Sequence, residues 1–151
     1  YKLPGLHIAY LPFSHYPYGK YNKHIKNVRT VNDWLTRDEA VVDEYNAGKL
    51  TTFMFTVNGY RGLMNMILYV RKPRNIERIP KNLPMLMISG LDDPVGEYGK
   101  GVYRAYNSYH GHIDDIDLRL YEDCRHELCN ELNKEEIYEE IYGWIMNHMS
   151  K

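Results

Sequence analysis

The stretch Met85-Leu-Met-Ile-Ser-Gly-Leu-Asp-Asp-Pro-Val95 decides how this chain is read, together with Leu118-Arg-Leu-Tyr-Glu-Asp-Cys-Arg-His-Glu127 downstream. In the first, an apolar run ends in a small-residue turn carrying Asp93. In the second, a strand-like run ends in a turn carrying His126. An unbroken apolar run of this length suits a strand of a parallel sheet covered on both faces. An acid and a histidine at the ends of two such strands, 33 residues apart with one helix between them, fit the last two places of the chain order Ser…Asp…His. The first place is empty in these residues. Ser14, Ser89, Ser108 and Ser150 all lack the flanking glycines of G-x-S-x-G.

The chemistry explains why these residue types sit where they do. A histidine that takes a proton from a nucleophile and later returns it to a leaving group needs reach, so it belongs on a turn beyond the sheet edge. A carboxylate must hold the imidazole in one tautomer and stabilise the imidazolium. Asp93 is preferred for that part because it follows Gly90 by three residues and immediately precedes Pro94; Asp92 is the rival, and Asp-Asp-Pro is also an ordinary turn signal. His110-Gly-His112 resembles a metal or oxyanion-hole motif, but it follows a late helix, whereas an oxyanion-hole loop precedes the nucleophile.

Working outward, the rhythm after residue 84 is β-α-β-α. Met85–Ser89 reads as a strand, about 97–109 as a helix with Val102, Tyr103, Tyr106 and Tyr109 inward, and Ile116–Tyr121 as a second strand. Asn133-Lys-Glu-Glu136 caps a last helix whose Ile137, Ile141, Trp144, Ile145 and Met149 make an apolar face. Pro73, Pro80 and Pro84 break the chain before this region and mark a boundary, with 1–83 on one side and 84–151 on the other. Upstream, Thr36-Arg-Asp-Glu39 is a capping box that opens a helix over about 37–46, with Val41, Val42 and Tyr45 on one side. A second helix, about 58–70, carries the stripe Tyr60, Leu63, Met64, Ile67 and Leu68. That stripe reads first as core; beside Phe53, Met54 and Phe55 it can also line an adaptable apolar cavity. Residues 1–30 lack sustained periodicity, and Leu6–Leu11 is a helical turn or a short strand.

The 151 residues suffice for one domain with a real core, yet are short beside the roughly 200–250 residues common in α/β folds of this kind. The chain begins at Tyr1, which fits a fragment or a processed product. A net charge of −1 gives no footprint for nucleic acid, and the basic clusters Lys20–Arg29 and Arg71–Lys81 read as solvated loops. Cys124 and Cys129 are too few for a disulfide scaffold, and their spacing around His126 is not a zinc pattern. Reduced thiols point to a cytoplasmic protein. No apolar run approaches the length of a transmembrane segment. Fifteen tyrosines, several of them in the first half, supply rings able to face both an apolar pocket and water.

With these residues laid out, a resemblance emerges. Leu83-Pro-Met-Leu-Met-Ile-Ser-Gly-Leu-Asp-Asp-Pro-Val-Gly96, Gly99-Lys-Gly-Val102 and Leu118-Arg-Leu-Tyr-Glu-Asp-Cys-Arg-His-Glu-Leu128 resemble the C-terminal part of the lysophospholipase-type α/β-hydrolases. These are relatives of monoacylglycerol lipases and serine aminopeptidases. Asn130-Glu131 and Tyr138–Trp144 are similar to the same family, and Asp-Trp-Leu-Thr-Arg-Asp-Glu (33–39) and Phe53–Arg61 to its lid, so that the likeness spans roughly residues 25–149. One departure is Asp123-Cys124, where Gly-Ala is frequent before Arg-His.

The resemblance implies a partial α/β-hydrolase fold: a helical lid over residues 1–83, then the last two parallel strands and their helices over 84–151. It implies Asp93 as catalytic acid and His126 as base, with Phe53, Phe55, Tyr60 and Met64 as candidates to contact substrate. The nucleophile-bearing half then precedes Tyr1, and the isolated chain is expected to be inactive. The intact enzyme would cleave carboxylic esters, lysophospholipid-like or monoacylglycerol-like, without cofactor or metal. The expected partners are that missing half or a second copy of the chain. Two rivals remain open at this point: a haloalkane dehalogenase or epoxide hydrolase with an aspartate nucleophile in the missing half, and a non-catalytic binding module on the same fold.

Overall fold

Elements form where the sequence supplies a cap and a periodic apolar set. The computed structural model describes residues 20–51, 53 and 55–149; Leu6–Leu11, Met54 and the tyrosines at 10, 16 and 18 lie outside them. After a 3₁₀ turn at Tyr21–His24 comes helix α1, Glu39–Ala47. It begins later than the capping box predicts. Asp38 is the N-cap, its carboxylate accepting the N–H groups of Ala40 and Val41, and Val42 is buried beneath the helix. Thr36 is buried instead: its hydroxyl donates to the Asn130 carbonyl at 2.7 Å and accepts the Asp38 N–H at 3.1 Å. A tertiary partner has outcompeted the local cap.

Helix α2, Val57–Val70, is capped by Thr56, whose hydroxyl accepts the Gly59 N–H at 3.0 Å. Its stripe is not core. Met64 and Leu68 leave 52% and 61% of their surface exposed, and α2 packs on the short helix α3, Pro73–Ile76.

Strands β1, Met85–Gly90, and β2, Ile116–Tyr121, pair in parallel with Met85 opposite Ile116 and Gly90 opposite Tyr121. A parallel pair requires a crossover, here helix α4, Lys100–His110. That helix starts three residues later than expected because Glu97, Tyr98 and Gly99 all adopt positive φ (53°, 56° and 80°) and turn the chain first. Tyr103, expected inward, is 55% exposed. β1 is only partly covered from Met85 to Ile88 and fully buried at Ser89 and Gly90, so the expected two-sided burial holds at its C-terminal end alone.

A second 3₁₀ turn, Leu128–Asn130, precedes the last helix, α5, Lys134–Met149. Ile137, fully buried, packs with Cys124 and Leu128, and Ile88, Tyr121 and Ile141 close over them. Farther along α5 the bonds to β2 are polar: Trp144 Nε1 donates to Asp117 at 2.7 Å and the Tyr121 hydroxyl to Glu140 at 2.9 Å. Ile145 and Met149, expected on the buried face, are 41% and 75% exposed. Among the described residues no helix is long and apolar enough to cross a membrane.

Candidate active site

The site is made by two turns that leave the sheet at the same level. Pairing continues past the strands: Leu91 N–H donates to the Tyr121 carbonyl at 2.8 Å and Asp92 N–H to the Cys124 carbonyl at 2.9 Å. Gly90 makes this crossing possible. A β-carbon there would lie 2.0 Å from the Cys124 carbonyl oxygen and 2.3 Å from that of Arg125, both backbone atoms. Only a glycine lets the turn after β2 pass directly over the end of β1.

That crossing brings Asp93 against His126, Oδ2 to Nδ1 at 3.1 Å. Asp93 is 6% exposed, and its other carboxylate oxygen accepts the Val95 N–H at 2.8 Å. Its carbonyl accepts the Tyr98 N–H at 2.8 Å, so the left-handed turn at 97–99 also anchors the acid. The bond from Asp93 raises the imidazole pKa, against burial, with the charges of Asp93 and Glu127 adding to the rise. A carboxylate accepting from Nδ1 leaves Nε2 as the nitrogen free to exchange a proton. About a third of the His126 side chain is open to solvent, while burial and the charges of Asp92 and Asp93 raise the pKa of the Tyr98 hydroxyl. Tyr98 in turn meets the His24 ring edge-on, centroids 4.8 Å apart.

The opposite flank comes from the segment before α1. The Trp34 ring packs on the imidazole with centroids 5.0 Å apart, and Tyr21 packs edge-on against Trp34 at 4.9 Å. The Trp34 carbonyl accepts the His126 N–H at 3.4 Å, and the Leu35 carbonyl accepts the Glu127 N–H at 2.7 Å. Arg125 Nη1 donates to the carbonyls of Asp33 and Thr36, at 2.7 and 3.0 Å. Arg37 reaches the other way, its Nε donating to the fully buried Glu131 at 2.8 Å and its Nη2 to Asn133 at 2.6 Å.

Of the sequence-predicted residues, Asp93 and His126 are together. Asp92 is exposed, and its backbone N–H alone is drawn into the crossing. Phe53, Phe55 and Tyr60 form a ring cluster of their own, 5.3 and 5.6 Å between centroids, with Met64 half-exposed one turn beyond. His112 Nε2 bonds the Ile79 carbonyl at 2.7 Å, and His110 packs on Tyr106 within α4, so each has a structural partner of its own. Trp34, Arg37, Arg125 and Glu131 were not expected at the site. Asp-Trp-Leu-Thr-Arg-Asp-Glu was read for its capping pattern and for its resemblance to a lid, and Arg37 lies 94 residues from Glu131.

A buried carboxylate bonded to an imidazole at the ends of adjacent parallel strands is the arrangement expected of an α/β-hydrolase. The chain matches the model of the serine aminopeptidase S33 family over residues 6–133, and it belongs to that family. Among solved structures it is similar to a highly thermostable carboxyl esterase from Bacillus coagulans in complex with glycerol, with 24% identity and a TM-score of 0.77 over 93% of this chain. It is also similar to a lipase in its open form, with 18% identity and a TM-score of 0.78 over 91% of this chain. The chain spans 45% of the length of each. No curated protein matches the sequence.

Proposed function

We propose that this chain supplies the acid and the base of a serine hydrolase that cleaves carboxylic esters. The observation that carries the reading is the 3.1 Å contact between Asp93 and His126 across the strand ends. In the proposed mechanism a serine held outside these residues attacks the acyl carbonyl. His126 Nε2 takes the serine proton, then returns it to the leaving alcohol, and repeats the cycle with water to free the acid. Asp93 fixes the imidazole with its proton on Nδ1 and stabilises the imidazolium at each step. The oxyanion hole belongs to the same outside part, because such a loop and the nucleophile elbow come earlier in the chain than acid and base.

The substrate proposed is an acyl ester of lysophospholipid or monoacylglycerol type. The exposed rings of Phe53 and Phe55, with Tyr60 and Met64 beside them, supply an apolar surface suited to an acyl chain, and the sequence resemblance of this segment to a lid supports that use. On this reading residues 1–83 are mostly lid and 84–151 core, and the two free thiols suit a cytoplasmic setting.

The test is hydrolysis of a short-chain p-nitrophenyl ester by the 151-residue chain and by the chain extended with its upstream coding sequence. The short chain is expected to show no turnover sensitive to a fluorophosphonate; the extended one should, and should lose it on His126→Ala. Fluorophosphonate-sensitive turnover by the short chain would overturn the placement of the nucleophile. An extended enzyme indifferent to His126→Ala would overturn the base.

A further inference from the structure

An imidazole that must meet a serine on one side and Asp93 on the other has to be held to within about 0.5 Å. Yet His126 sits on a turn, and that turn includes Asp123 at φ 57°. Three consecutive backbone N–H groups around the histidine each find an acceptor outside the turn. Arg125 N–H donates to Glu131 Oε1 at 2.7 Å, His126 N–H to Trp34, and Glu127 N–H to Leu35. Glu131 is thus an acceptor for the residue immediately before the histidine, and it is fully buried. Its charge is met by Arg37, through Nε at 2.8 Å and the backbone N–H at 3.4 Å, and by the Leu132 N–H at 3.3 Å. A buried carboxylate stripped of such a partner is an uncompensated charge, which strongly destabilises a fold, so the turn and the 33–37 segment stand or fall together.

We propose that Glu131 and Arg37 are positioning residues for His126, clamping the histidine turn onto the 33–37 segment so that the imidazole meets Asp93. The clamp is reciprocal. Arg37 reaches from the segment to the Glu131 carboxylate that holds the turn, and Arg125 reaches from the turn to the segment's carbonyls. The proposal rests on the reading of Asp93 and His126 as acid and base. It also moves residues 33–37 from lid to frame: they hold the base rather than cover the substrate.

The charged groups around the imidazole are Asp93 across the strand ends, Glu127 next in the chain, and Glu131, Arg37 and Arg125 behind the turn. Their signs make the test decisive. If Arg37 and Glu131 acted on His126 by charge alone, Arg37→Gln would raise the imidazole pKa and Glu131→Gln would lower it. If they position it, both lower it toward the ordinary value of about 6.5, because both loosen the bond to Asp93.

The experiment is an NMR titration of ring-labelled His126 in the full 151-residue chain, with urea unfolding of each variant alongside. Asp93→Asn sets the value without the bond. Arg37→Gln and Glu131→Gln are expected partway towards it, and Arg37→Lys closer to the unsubstituted chain than Arg37→Gln. A folded Arg37→Gln chain with an unchanged or raised His126 pKa overturns the clamp, and this variant decides if Glu131→Gln fails to fold. If Asp93→Asn itself leaves the titration unmoved, the acid–base pair falls, a different failure from that of the clamp.

Discussion

Gly90→Ala is the sharpest perturbation the fold allows, because one methyl group meets only backbone. The added β-carbon would sit 2.0 Å from the Cys124 carbonyl oxygen and 2.3 Å from that of Arg125, where real contacts stay beyond 3.0 Å. The turn after β2 must therefore retreat by about 1 Å. The Cys124 carbonyl accepts the Asp92 N–H at 2.9 Å, and a retreat of that size takes the pair out of bonding range. A hydrogen bond lost with its partner left buried costs about 1–3 kcal/mol. Overpacking a tight site costs about 1–3 kcal/mol more. Against this, alanine narrows the unfolded ensemble by about 0.4–1 kcal/mol. The expected net loss is about 3 kcal/mol, which at a urea slope of about 1–3 kcal/mol per molar moves the midpoint by about 1 M or more. Urea unfolding followed by tryptophan fluorescence measures it, with Gly143→Ala as control. That β-carbon would meet nothing within 4 Å inside α5, so the control should gain up to about 1 kcal/mol. A Gly90→Ala chain within about 0.5 kcal/mol of the parent would refute the argument that backbone approach at this point builds the site.

Further outcomes follow from the same geometry. The folded pKa of His126 lies above its ordinary value, so its contribution to stability is fully present below about pH 6.5 and is lost as pH rises through the folded value; the unfolding midpoint should fall in that window, and Asp93→Asn should flatten it. In the extended enzyme Asp93→Asn should cut kcat heavily, of order 10⁴ if it behaves as the equivalent change does in serine proteases, while Asp92→Asn should do far less; the reverse order would reassign the acid. Ile137→Ala, at a fully buried site against Cys124 and Leu128, should cost about 2–5 kcal/mol in denaturant unfolding. Sedimentation of the 151-residue chain at micromolar concentration should find self-association, because β1 is apolar yet only partly covered and α2 exposes its stripe; a compact, cooperatively unfolding monomer would count against the proposal that an outside half completes the sheet.

The sheet was legible because its signals are local. An apolar run closed by Ser89-Gly90, and alternation over Ile116–Tyr121, gave both strands to within a residue, and the two turns that follow carried the pair that meets. What failed depended on distant partners. Thr36 has a perfect local capping context, but a buried hydroxyl 94 residues from Asn130 has a better use. The stripe on α2 has helical spacing, which reports the helix and says nothing about what covers it. The late start of α4 hides in Glu97-Tyr98, two residues not favoured at positive φ, whose turn is bonded to Asp93. Asn130-Glu131 entered through the family resemblance, which gave Glu131 no role; a glutamate becomes legible as buried only once Arg37 is beside it.

The geometry of the pair is a consequence of register. Gly90 opposite Tyr121 sets the two turns level, and a one-residue slip would move one turn by about 3.3 Å along the strand, more than the whole length of the 3.1 Å bond. Register alone, however, positions backbones and not a ring on a turn. The ring is fixed from three directions: Asp93 on Nδ1, the Trp34 ring tilted against it at 46°, and the Glu131, Trp34 and Leu35 acceptors on the chain that carries it. These contacts come from three stretches of sequence, around residues 34, 93 and 131, so no single loop can drift without the others resisting. Among the described residues Nε2 is the ring nitrogen this arrangement leaves uncommitted, on a side chain a third exposed, and the proposed serine has to arrive there.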